Sequence, residues 1–94
     1  MIGSYVVVCT EWRGVFFGKL ISHDEDKKIA ELDESQLCVY WSQATHGVLG
    51  LASVGPGKDC RISPQSGKVK LAGVTAIFEV DDSAISKWKE SPWS

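Results

Sequence analysis

No apolar run in this sequence of 94 residues approaches the about eighteen needed to cross a bilayer. The opening Met1-Ile2-Gly3-Ser4-Tyr5-Val6-Val7-Val8-Cys9 also lacks the basic head and long apolar stretch of a secretory signal, so the expectation is a soluble cytosolic protein. Positive charge is scarce: ten Lys and Arg stand against twelve Asp and Glu, for a formal net charge of −2. Such a chain has no basic field to gather a phosphate backbone, which disfavours a general DNA or RNA binder. Cysteine is sparse as well, with Cys9, Cys38 and Cys60 scattered and no C-x-x-C pair among them. An odd, dispersed set fits reduced thiols packed as small hydrophobes. A zinc site would have to gather Cys38, Cys60, His23 and His46 over long loops, so neither metal nor cofactor is expected. There is no Walker or dinucleotide-type glycine loop, no internal repeat, no heptad seam and no low-complexity tract. A chain this short supports one modest core, and residues 1–94 read as a single domain.

What is present alternates like a sheet protein. Tyr5 to Cys9 are mostly β-formers without helical spacing and read as a buried strand. Trp12-Arg13-Gly14 breaks the pattern, and Val15 to Ile21 should return antiparallel to the first strand as a hairpin. After the charged turn His23 to Lys28, Ile29 to Asp33 puts Ala30 and Leu32 on one face. Leu37, Val39 and Trp41 then alternate with Cys38 and Tyr40, as a fourth strand or as the third continuing past a bulge. From Ser42 to Ala52 the apolar spacing becomes helical, with Ser42 as the cap. Gly55-Pro56-Gly57 breaks the chain, and Cys60 to Ser63 fits a short edge strand. Lys68 to Val80 alternates in two phases, which a bulge near Ala72-Gly73 reconciles. Asp81 and Asp82 open a C-terminal helix whose apolar face is Ala84, Ile85 and Trp88, with Lys87 and Lys89 toward its end and Pro92 beyond. The predicted fold is α+β: a bent antiparallel sheet of about five strands, barrel- or roll-like, with one short internal helix and a C-terminal helix.

Tyr5-Val6-Val7-Val8, Gly14-Val15-Phe16-Phe17-Gly18-Lys19-Leu20, Tyr40-Trp41 before a small-residue helix, and the Pro92-Trp93 tail together resemble a family of short proteins encoded by tailed bacteriophages. That family has no known function. The resemblance spans nearly the whole chain and implies an accessory protein acting in the cytoplasm of an infected bacterial host. By analogy, such proteins bind and inhibit host factors, including those of anti-phage defence.

The residues suited to contact are aromatic and amide groups near two bends. Four tryptophans exceed what a small core needs; Trp41 and Trp88 read as core, whereas Trp12 beside Arg13 in a turn, and Trp93 in the tail, suit a binding surface. Tyr40, Trp41, Gln43, Thr45 and His46 form a polar-aromatic cluster at a strand-to-helix junction. There an aromatic face could stack a base, Gln43 read its edge, and Arg13 or Arg61 meet a phosphate. A nucleophile set of Cys38, His46 and Asp33 is outweighed by the ordinary burial of a strand cysteine. The carboxylates Asp24, Glu25 and Asp26 suit a solvated turn. The expectation is therefore a non-enzymatic protein that occludes a host protein, with an oligomeric sponge for a nucleotide signal as the alternative. Exposed tryptophan and an unpaired sheet edge favour a homo-oligomer.

Overall fold

Val6, Val7 and Val8 are all fully buried, although a strand turns successive side chains to opposite faces. The strand that carries them must therefore have core on both sides, and the fold supplies it. The computed structural model describes residues 2–11, 14–40, 47–53, 55–56 and 60–90, and for residues 40 and 47–49 the backbone alone. In chain order the elements are β1 (Tyr5–Thr10), β2 (Val15–Asp24), β3 (Ile29–Tyr40), α1 (Gly47–Ser53), β4 (Arg61–Ile62), β5 (Val69–Ala72), β6 (Val74–Glu79) and α2 (Asp82–Glu90).

The architecture is α+β, as expected, with six strands among the described residues rather than about five. The extra strand arises because the run from Lys68 to Val80 does not merely bulge. Gly73, at φ +69°, turns it so that β5 pairs with β3 and β6 pairs with β1. These two partners are separated in the sheet by β2, and the run bends the sheet between them. Hydrogen bonds do not close the sheet into a barrel: its order is β4-β3-β2-β1-β6, with β5 on β3. The segment from Ile29 to Tyr40 is one twelve-residue strand, the second of the two alternatives its pattern allowed. One of its irregularities falls at Glu34, which adopts φ +52° where the pairing with β2 shifts register between Phe17 and Lys19. β2 also runs further than its apolar pattern, to Asp24, so the charged turn shrinks to residues 25–28.

Two clusters fill the faces. Val6, Val8, Leu20, Leu32, Leu71 and Val74 pack on one side of the sheet. On the other, Val7, Phe17 and Ile62 meet Leu51 of α1 and Ala84 and Trp88 of α2. Trp88 is fully buried, and its indole N–H donates to the Leu51 carbonyl at 2.9 Å. Ala84 and Trp88 thus form the expected apolar face of α2, with Ile85 half-buried beside them. Cys38 and Cys60 are buried in this same cluster outside any disulfide, in the small-hydrophobe role the sequence suggested. Two residues past α1 the chain approaches α2 where only glycine fits. Gly55 stands at φ +91°, and a Cβ there would sit 2.9 Å from the Lys87 Cβ. Its N–H reaches back to the Gly50 carbonyl at 3.1 Å, closing the end of α1. The Ser42 cap assigned to this helix lies outside the described residues.

Candidate functional site

Of the residues singled out for binding, Trp12, Arg13, Trp41, Gln43, Thr45 and His46 lie outside the described residues, as does Trp93. Tyr40 and Arg61 are brought together. Tyr40 ends β3 and stands opposite Arg61 in the antiparallel β3–β4 pairing, and Arg61 is exposed. The strand leading to this junction carries an apolar outward face. Leu37 and Val39 are 37% and 49% exposed, while Cys38 between them is 4% exposed. Leu37 stands opposite Phe16 of β2, and Phe16 stands opposite Val8 of β1, so this outer face continues a row that is buried at its centre.

The most organised polar group in the described structure is one the sequence reading passed over. The Tyr5 hydroxyl donates to both carboxylate oxygens of Glu34, at 3.2 and 3.1 Å, and accepts a hydrogen bond from Lys89 Nζ at 2.7 Å. Lys89 also pairs with Glu34 at 3.3 Å and lies 4.5 Å from the centre of the Tyr5 ring. Below it the rings continue: Tyr5 stacks on Phe17 at 5.4 Å, and Phe17 on Trp88 at 4.8 Å. The hydrogen bond from Lys89 to Tyr5 raises the lysine pKa; partial burial opposes this, and Glu34 adds to it. β1, β3 and α2 each contribute one member, so the cluster ties the C-terminal helix across the sheet. No periodicity could have signalled it, because Tyr5 and Lys89 are 84 positions apart. Glu34 is held in its left-handed conformation by an N–H bond to its neighbour's Asp33 Oδ1 at 2.8 Å.

Around the β2–β3 turn the surface is shallow and mixed in charge. An open cavity of about 340 Å³ is lined by His23, Glu25, Lys28 and Val74 to Ile77. A smaller one of about 230 Å³ includes Asp24, Lys27, Glu31 and Lys70. His23 sits at this exposed end, whereas Cys38 and Cys60 are in the core, and among the described residues no cluster of His, Cys, Asp or Glu is placed to hold a metal ion. Burial pushes the Cys9 thiol up, away from the thiolate a nucleophile requires. Among the described residues no helix is long and apolar enough to cross a membrane.

These features define a small α+β domain whose outward chemistry is apolar strand surface and mixed charge, with its ordered polar network used internally. The chain belongs to the family described as domain of unknown function DUF6948, which matches residues 3–88. No curated protein and no solved structure matches it.

Proposed function

We propose that this is a non-enzymatic accessory protein of the bacteriophage type, which binds a host component in the infected cell and acts by occluding it. The phage assignment and the inhibition of anti-phage defence come from the motif resemblance at Tyr5–Val8, Gly14–Leu20 and Tyr40-Trp41. The observation that carries a contact function is the outward pair Leu37 and Val39, apolar and exposed on the strand that feeds the Tyr40–His46 junction. In a small protein with a well-filled interior, apolar side chains facing outward beside an aromatic-rich segment favour burial against a partner. Trp12 and Arg13, Tyr40, Trp41, Gln43, Thr45, His46 and the exposed Arg61 are the anchors of that contact. The exposed acidic stretch Asp24 to Asp26 suits a partner with a basic surface, whereas Glu34 of the Asp33-Glu34 stretch is engaged with Tyr5 and Lys89.

Affinity capture from a lysate of a susceptible bacterium tests this, using the wild type, Val39→Asp and Trp12→Ala. The wild type should retain one stoichiometric protein that both variants lose. Retention of no such protein overturns the proposal. If a cyclic or ADP-ribose-type nucleotide instead raises the melting temperature sharply, the protein is a sponge for a nucleotide signal and the occlusion reading fails.

A further inference from the structure

Among the described residues the sheet ends at β6, whose outer side is engaged at its start, where the Val74 N–H donates to the Lys28 carbonyl at 3.0 Å, and its geometry selects what fits along the rest. The Val80 N–H donates to the Tyr5 carbonyl at 2.9 Å, and Val7 stands opposite Phe78. In an antiparallel ladder, main-chain groups alternate between the two sides of a strand, so Phe78 and Val80 face β1 while Ile77 and Glu79 face away from it. On that outer side β6 pairs with no strand among the described residues. The usual guards of an edge are sparse: β6 reads Val-Thr-Ala-Ile-Phe-Glu, without proline or lysine. Its one irregularity lies at Thr75, where the pairing with β1 shifts between Ala76 and Val74, which leaves Ala76 to Glu79 regular. Ile77 packs against one core cluster and Phe78 against the other, yet both are only half-buried, and among the described residues no strand lies beside them on the outer side.

We infer that this edge joins two copies of the chain, with β6 pairing antiparallel to its own counterpart about a two-fold axis at Ile77. That register brings Ile77 against Ile77 on one face. On the helix-covered face it sets the small Ala76 against the large Phe78 of the second copy, twice over by symmetry. It also carries each Glu79 to the far end of the opposite strand. There the open cavity of about 340 Å³ along Val74 to Ile77 is walled by His23, Glu25 and Lys28, and Lys28 meets the arriving carboxylate. An extended peptide from another protein would share the main-chain pairing but would have no reason to carry this reciprocal small-to-large and acid-to-base match. The inference stands independently of the host component proposed above.

The test uses the full chain. Light scattering coupled to size exclusion should give the mass of two chains, and hydrogen exchange should show the Ile77 and Glu79 amides gaining protection with concentration while Phe78 is protected throughout. Ile77→Pro removes an N–H that the β1 ladder does not use, so it should yield a folded monomer; Ile77→Ala, which keeps that N–H, should remain more dimeric. If the proline variant fails to fold, charge exchange decides: Glu79→Lys should weaken the dimer at least about tenfold, and adding Lys28→Glu should restore it. A wild type that remains monomeric at the millimolar concentrations of NMR overturns the inference. So does a dimer indifferent to these substitutions, or protection of Ile77 that appears only when another protein is added.

Discussion

The side-chain amide of Gln36 donates to the main-chain carbonyl of Trp88 at 2.9 Å, 52 positions away in the chain. The same nitrogen reaches the Ser63 carbonyl at 3.2 Å, so one buried glutamine fastens both the last turn of α2 and the segment after β4 to the sheet. Its Oε1 is buried and has no partner among the described residues, which makes the site sensitive to charge. Gln36→Leu removes two donated bonds together with the orphaned acceptor and should cost about 1–2 kcal/mol. Gln36→Glu places a carboxylate against two carbonyl oxygens and should cost about 3 kcal/mol or more at neutral pH. Urea unfolding should order the three proteins as wild type, leucine, glutamate. The glutamate variant should recover stability as pH falls and the acid form supplies a donor.

Two non-glycine residues with positive φ should answer differently to glycine. Lys28, at φ +57° in the β2–β3 turn, contributes its carbonyl to the Val74 N–H at 3.0 Å, a bond that any residue can make. Lys28→Gly should therefore raise stability by about 0.5–1 kcal/mol. Glu34, at φ +52°, carries the bonds to Tyr5 and Lys89. Glu34→Gly relieves the same backbone strain but loses that network, and its melting temperature should not rise.

The approach of Gly55, just past α1, to α2 leaves no room for a methyl group. A Cβ there would meet the Lys87 Cβ at 2.9 Å and the Ala84 carbonyl oxygen at 3.2 Å, from a backbone already at φ +91°. Gly55→Ala should destabilise the protein by about 2–3 kcal/mol, read as a lower denaturant midpoint with an unchanged slope.

Lys89 links stability to alkaline pH. Its pKa in the folded state is raised above the ordinary 10.5, chiefly by the bond to Tyr5, so the cation is bound more tightly in the folded chain. The stabilisation is fully present below that ordinary value and is lost as pH climbs through the raised one. Melting temperatures of the wild type and Lys89→Met should therefore differ at neutral pH and converge in strong alkali. A gap that stays constant to the highest pH would remove the network's role in holding α2.

Local pattern was enough for much of the architecture. Alternation at Ala30 and Leu32, the spacing of Ala84 and Trp88, and the turn residues at Gly14 and Gly73 each report a preference that neighbouring residues settle among themselves. Where the structure exceeded that reading, distant segments decided. The sequence pattern around Ala72-Gly73 signals a break, but whether β5 and β6 share a partner depends on which strands lie beside them. The candidate site was legible only as residue types: Tyr40 and Arg61 become neighbours through strand pairing, and Tyr5 and Gln36 each have one partner on the last helix, 84 and 52 positions away.

By itself, then, the sequence determined the class of fold and the triple-valine strand, because hydrophobic periodicity and backbone preference are local. Tertiary structure alone decided that this strand has core on both faces, that Glu34 and Gln36 clamp the last helix, and that among the described strands β6 ends the sheet. Those outcomes depend on which surfaces meet after collapse, and contacts between residues 52 and 84 positions apart leave no trace in the spacing of either residue.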